Sequence, residues 1–176
     1  GPISLNITKN IKSIAVRALI NEAKAVENLT NLIDDDFESC VREVLNSKGR
    51  VVVTGVGKSA IIANKIVATL NSTGTPAIFL HAADAIHGDL GMVQSDDIVI
   101  CISKSGNTPE IKVLTPLLKR RGSKLVALVS NPTSYLATHA DYVLNASIED
   151  AYPIGKIVVS VPPSSLTIFE AALSIC

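Results

Sequence analysis

Five short β-branched apolar runs set the limits on what this chain can fold into: Arg50–Thr54, Ala77–Leu80, Asp97–Ile102, Lys124–Val129 and Asp141–Leu144. Their apolar residues are consecutive, not alternate. Strands with one wet face alternate, whereas strands buried on both faces read as continuous runs. Helical periodicity recurs between them, at about 59–72, 109–121 and 133–139. Such alternation requires right-handed crossovers, so the expected fold is α/β: a doubly wound, five-stranded parallel sheet flanked by helices.

The first 48 residues read as two helices. Ile11, Ile14, Ala15, Ala18 and Leu19 recur at helical spacing, followed by Ala23, Val26 and Leu29, and then by Phe37, Val41, Val44 and Leu45. Asp34-Asp35-Asp36 separates the two helices and caps the second, and Gly49 takes the C-cap position. The organisation expected is an N-terminal helical arm, 1–48, on a sheet domain, 49–176, forming one compact unit. Two apolar helices exceed what one small sheet needs for cover, so they are expected to pack against partner subunits. After Pro162-Pro163 a last helix is expected from about Leu166.

Composition removes several functions. Sixteen basic residues balance sixteen acidic ones, and only 3% of the 176 residues are aromatic. A nucleic-acid partner needs surplus cations and stacking platforms, so none is expected. Apolar runs fall short of the roughly 20 residues of a membrane span, and no signal peptide is evident, which points to a cytoplasmic protein with no membrane partner. Cys40, Cys101 and Cys176 have neither disulfide nor zinc-ribbon spacing; Cys40 and Cys101 read as small buried hydrophobes.

In an open parallel sheet, ligands bind in the loops that follow the strands. The first such loop is Thr54-Gly55-Val56-Gly57-Lys58-Ser59. It is not a P-loop, which needs four residues between its glycines where this loop has one, and it lacks the third glycine of a dinucleotide fingerprint. The third strand ends in Ser103-Lys104-Ser105-Gly106-Asn107-Thr108-Pro109-Glu110. Hydroxyls, a glycine and a helix start together suit a phosphate dianion. Pro109 suits the first helical turn, and position alone explains Glu110 by the helix dipole. The loop after the second strand holds His81 and His87 at a spacing that is not a helical metal pair. His139, at a helix end away from this edge, reads as structural. Glu149-Asp150 follows the fifth strand and offers a further acid for proton transfer.

Four segments then stand in order: Gly55-Val56-Gly57-Lys58-Ser59, Ser72-Thr73-Gly74-Thr75-Pro76, His87-Gly88-Asp89-Leu90-Gly91-Met92-Val93 and Ser103-Lys104-Ser105-Gly106. From about residue 10 to 155 the chain resembles the sugar isomerase (SIS) domain, a flavodoxin-like fold. More specifically, it resembles the arabinose-5-phosphate isomerases that supply the Kdo pathway of lipopolysaccharide and capsule. The resemblance implies a metal-independent aldose-ketose isomerase acting on D-ribulose 5-phosphate and D-arabinose 5-phosphate through a cis-enediol. It implies catalytic roles for Lys58, Glu110, His87 and Asp150, the last where the family usually has Glu. It implies a phosphate cradle of Ser59, Ser103, Ser105 and Thr108. Sugar contacts would come from Gly57, Gly74, Thr75, His81 and His87. No cofactor is implied, only an inhibitory zinc at His81. A homotetramer with shared active sites is also implied.

The sequence departs from the family in three places. No paired CBS domains are present, so the likeness is to the short, SIS-only form. The family's Ala-Pro-Thr-Ser-Ser-Thr segment is only loosely matched, by Val161-Pro162-Pro163-Ser164-Ser165, and its downstream H-P-G-G histidine would lie beyond Cys176. Two other readings remain open. Tyr152-Pro153-Ile154-Gly155 also resembles 6-phospho-3-hexuloisomerase, another SIS isomerase. A non-catalytic phosphosugar sensor is the other, although no basic DNA-binding segment accompanies it.

Overall fold

The computed structural model describes residues 2–146, with side chains described from residue 10. Strands Val51–Gly55 (β1), Ala77–His81 (β2), Ile98–Ser103 (β3), Lys124–Val129 (β4) and Tyr142–Asn145 (β5) make one sheet in the order β2-β1-β3-β4-β5. Every pairing is parallel, as the consecutive apolar runs require. The helices are Pro2–Asn28 (α1), Asp35–Asn46 (α2), Lys58–Ser72 (α3), Ala82–Ile86 (α4), Pro109–Arg120 (α5) and Tyr135–His139 (α6). The segment after β2, read from sequence as a loop, is instead folded as α4 and a 3-10 turn at Asp89–Met92.

The sheet is covered on both faces, and the pleat decides which residue goes where. Val51, Val53, Ile100 and Val126 turn to the side closed by α2 and α3, meeting Cys40, Val44, Ile66 and Leu70. Val52, Val99, Cys101 and Ala127 turn to the opposite side, meeting Ala85 of α4 and Ile111, Leu114 and Leu118 of α5. Each fully buried Leu or Ile contributes roughly 1.5–3 kcal/mol, so these two layers supply most of the folding drive. Cys40 and Cys101 are buried as expected, and burial pushes the Cys101 thiol up to about 12, which leaves it protonated and inert.

Two expectations for the N-terminal region need correction. First, α2 is not free for a partner subunit, because its apolar face lies in the core of its own sheet. Polar bonds hold it there. Asp36 accepts from the Val143 amide (2.8 Å), and the Tyr142 hydroxyl donates to Glu43 (2.9 Å), so α2 is laced to the edge strand β5. The Glu43 carboxylate, helped by burial, raises the Tyr142 phenol to about 12. Only α1 stands off as an arm, with residues 10–20 all exposed, among them Ile11 and Leu19 at 61% and 67%.

Second, Gly49 does not cap α2. The cap is Ser47, whose amide bonds the Val44 carbonyl (3.4 Å), while the N-cap is Asp34, accepting from Phe37 (3.0 Å). Gly49 is needed for a different reason: a Cβ there would run into the Asp96 carbonyl.

The acidic starts expected of the strands also resolve differently. Asp97 and Asp141 sit just before β3 and β5, where their carboxylates accept amides of neighbouring segments. Asp97 is buried (2%) and accepts from the amides of Arg50 (2.9 Å) and Gln94 (2.8 Å) and from the Arg50 guanidinium (3.2 Å). Burial pushes its carboxyl up, but these donors outweigh it and hold the pKa below the ordinary 3.8. A carboxyl depressed in the folded state adds stability above its unfolded value and loses it as pH falls through the folded one. Asp97→Asn should lower urea-unfolding stability by about 2 kcal/mol at pH 7. The gap to the parent should close as the pH falls below about 4; an equal gap at pH 3 and pH 7 would refute this account.

Candidate functional site

The order β2-β1-β3 marks the point where the winding reverses. From β1 the chain leaves through α3 on one face towards β2, and from β3 through α5 on the other face towards β4. The two helices part at the carboxyl edge and leave a crevice between their starts. A cleft of about 420 Å³ opens there, with Val56 and Ser59 on the β1 side, Ser103, Lys104, Ser105 and Thr108 on the β3 side, and Ser130 and Asn131 after β4.

The β3 loop is ordered by its own hydroxyls. Ser103 Oγ accepts from the Gly106 amide (3.0 Å), Ser105 Oγ from the Asn107 amide (3.2 Å) and Thr108 Oγ1 from the Ile111 amide (3.4 Å), the last as the N-cap of α5. A hydroxyl that accepts in this way keeps its own proton free to donate. The loop is therefore rigid and still presents O–H donors to the cleft, the chemistry a phosphate oxygen needs.

The short helix α6 clamps this loop from outside. The Leu136 amide donates to the Gly106 carbonyl (3.1 Å), and the Tyr135 amide to Asn107 Oδ1 (2.9 Å). Gly106 has φ +66, and a Cβ there would overlap the Ser134 side chain. His139, the last residue of α6, has its ring nitrogen Nδ1 2.7 Å from the carbonyl of Tyr135 in the first turn, a contact within the helix.

The other expected residues sit at different removes from the cleft. Gly57 (φ +61) is the N-cap of α3, and Lys58 is the first residue of that helix, exposed and in no ion pair among the described residues. Glu110 is the second residue of α5, also exposed. Lys58 and Glu110 therefore flank the crevice from the two helix starts. His87 ends α4, which packs against α5. His81 caps α4, its Nδ1 accepting from the Ala83 amide (3.2 Å). With that nitrogen engaged, and no group of three or more metal-ligating side chains among the described residues, the described chain does not build a zinc cage around His81.

Gly74 and Thr75 are not at the cleft of their own subunit. They precede β2, and in an all-parallel sheet the loop before a strand lies at the opposite edge from the loop after it. Asp150 lies outside the described residues. Ser130 and Asn131 line the cleft without having been singled out, although a Ser-Asn-Pro-Thr run directly after a buried strand carries the same signal as the β3 loop. Gly106→Ala should destabilise the protein by about 1–3 kcal/mol in urea unfolding, through the positive φ and the Ser134 overlap. An unchanged midpoint would mean that this turn is not held as described.

With the geometry in place, comparisons with known proteins agree on one family. The SIS domain model matches residues 44–175. Arabinose 5-phosphate isomerase KdsD of Pseudomonas aeruginosa is 44% identical over 167 residues, covering 93% of this chain and 50% of that protein. Arabinose 5-phosphate isomerase GutQ of Escherichia coli is 40% identical over 156 residues, covering 88% and 49%. The chain thus spans about half the length of the curated relatives it matches. Among solved structures, an Escherichia coli protein in complex with arabinose 5-phosphate superposes with a TM-score of 0.79 at 36% identity, covering 95% of this chain and 91% of that one. The protein is a member of the SIS domain family.

Proposed function

We propose that this chain is a phosphosugar aldose-ketose isomerase that interconverts D-ribulose 5-phosphate and D-arabinose 5-phosphate. The observation that carries the reading is the β3 loop. Ser103, Ser105 and Thr108 each accept a backbone amide and so keep a proton to donate at the cleft, and the same segment places the Glu110 carboxylate two residues further on. A phosphate held by the loop leaves the sugar carbons to the residues at the two helix starts. The similarity to KdsD and GutQ, and to a structure holding arabinose 5-phosphate, supports the choice of substrate.

In this reading Glu110 removes a proton from C1 of the ketose. The C–H electrons form the C1=C2 bond, and the carbonyl oxygen at C2 takes up a proton beside the Lys58 ammonium, giving the cis-enediol. The O1 proton then leaves, the C1–O1 carbonyl forms, and C2 takes up a proton, giving the aldose. His87 contacts the sugar, and Asp150 supplies the second acid. No cofactor is required, and an inhibitory zinc at His81 would need its other ligands from outside the described residues. The reaction would run in the cytoplasm and feed Kdo synthesis for lipopolysaccharide and capsule. No helix among the described residues is long and apolar enough to cross a membrane.

Assembly belongs to the same reading. Lys58 and Glu110 each stand one helical turn from an exposed aliphatic side chain, Ile61 (72%) and Val113 (51%). Proton transfer from carbon benefits from exclusion of water, which a single open cleft does not provide. A homotetramer that shares its sites would cover these residues and bring Gly74 and Thr75 of one subunit within reach of another's cleft. Light scattering should report a tetramer at micromolar concentration; a monomer would refute it.

The central test is incubation with D-ribulose 5-phosphate and detection of D-arabinose 5-phosphate by NMR. Glu110→Gln should lower kcat by about 100- to 10,000-fold while inorganic phosphate still binds. Phosphate binding without turnover in the parent protein would favour a phosphosugar sensor, and turnover of a ketohexose phosphate instead would favour the hexuloisomerase reading.

A further inference from the structure

Lys104 has no role in the account so far, yet it is the one charged side chain among those lining the cleft; the remaining lining residues are neutral. Its backbone is fixed, because its carbonyl accepts the Ser130 amide (2.9 Å) and so joins the β3 and β4 loops. Its neighbours on both sides, Ser103 and Ser105, are two of the hydroxyl donors that face the cleft. Its own side chain is exposed and makes no hydrogen bond or ion pair with any described residue. Lys58, the other cation of the site, is not among the cleft-lining residues and stands at the start of α3.

We propose that Lys104 is the charge partner of the substrate's phosphate and sets the cleft's preference for phosphorylated over unphosphorylated sugars. This rests on reading the cleft as a phosphosugar site. Neutral hydroxyls can bind a sugar hydroxyl as well as a phosphate oxygen, so they discriminate poorly between the two. A cation does discriminate, because the phosphate monoester carries close to two negative charges at neutral pH. A cation without a carboxylate partner also keeps its full charge for the ligand. The two lysines then divide the work: Lys104 holds the phosphate end, and Lys58 is left for the oxygen on which charge develops.

The test uses the intact chain, with inorganic phosphate and D-ribulose 5-phosphate as probes. Lys104→Met should weaken phosphate binding by about 10- to 100-fold in calorimetry. It should raise KM for ribulose 5-phosphate by a similar factor, with the loss falling on KM more than on kcat, and narrow the preference over unphosphorylated ribulose. Lys104→Arg should restore most of the binding. Lys124→Met, which removes the same charge from the opposite edge of the sheet, should do neither. Unchanged phosphate binding in Lys104→Met, or an equal loss in Lys124→Met, overturns the proposal. Lys104-dependent phosphate binding by a parent protein that does not isomerise ribulose 5-phosphate upholds Lys104 and overturns only the isomerase reading.

Discussion

Everything at the functional end of this molecule depends on one divergence: α3 and α5 leave adjacent parallel strands towards opposite faces of the sheet. Because β1 and β3 are hydrogen-bonded neighbours, their following loops must start side by side. Because their helices then separate, nothing from the described chain fills the space between the two helix starts. The cleft is therefore a by-product of topology. Its floor is the rigid pairing of Val51–Gly55 with Ile98–Ile102, in a sheet buried on both sides. Such a floor cannot shift without breaking the core, which suits a site that must hold a small ligand in register.

On that floor, the polar side chains do two jobs at once. Ser103, Ser105 and Thr108 spend their acceptor capacity on the loop's own amides and keep their donor capacity for a ligand. The five-residue α6 extends the arrangement by fixing the Gly106 and Asn107 groups from outside. The proposed phosphate site is thus compatible with a chain of zero formal charge, since hydroxyls and amides would do the holding and only one or two local cations are required.

At the other end of the sheet, charged residues serve the fold instead. Asp97 gathers two amides and a guanidinium at the start of β3, and Asp141 accepts an amide of β4. Asp36 and Glu43 tie α2 to the edge strand β5 and satisfy a strand amide there that would otherwise offer itself to another chain. Chemically similar carboxylates therefore have opposite fates, set by which edge of the sheet they occupy.

That difference also marks the limit of what could be read in advance. The consecutive apolar runs settled the strand number, the parallel pairing and the two-sided burial, because only a doubly covered sheet tolerates such runs. The hydroxyl-rich segment after β3 was legible for the same local reason: turn chemistry, helix capping and anion donors are written within six residues. Gly49 misled because helix capping and close packing both call for glycine, and its real constraint, the Asp96 carbonyl, is remote in sequence. Gly74 and Thr75 could not be placed in advance, because a motif in the chain does not state which edge of the sheet it lies on. Ser130 and Asn131 went unread because their loop becomes part of the cleft only when β4 is laid beside β3. Local pattern thus determined the elements and the donors. Only the tertiary structure decided which loops share an edge, because strand order is fixed by packing across the whole sheet and by no single segment.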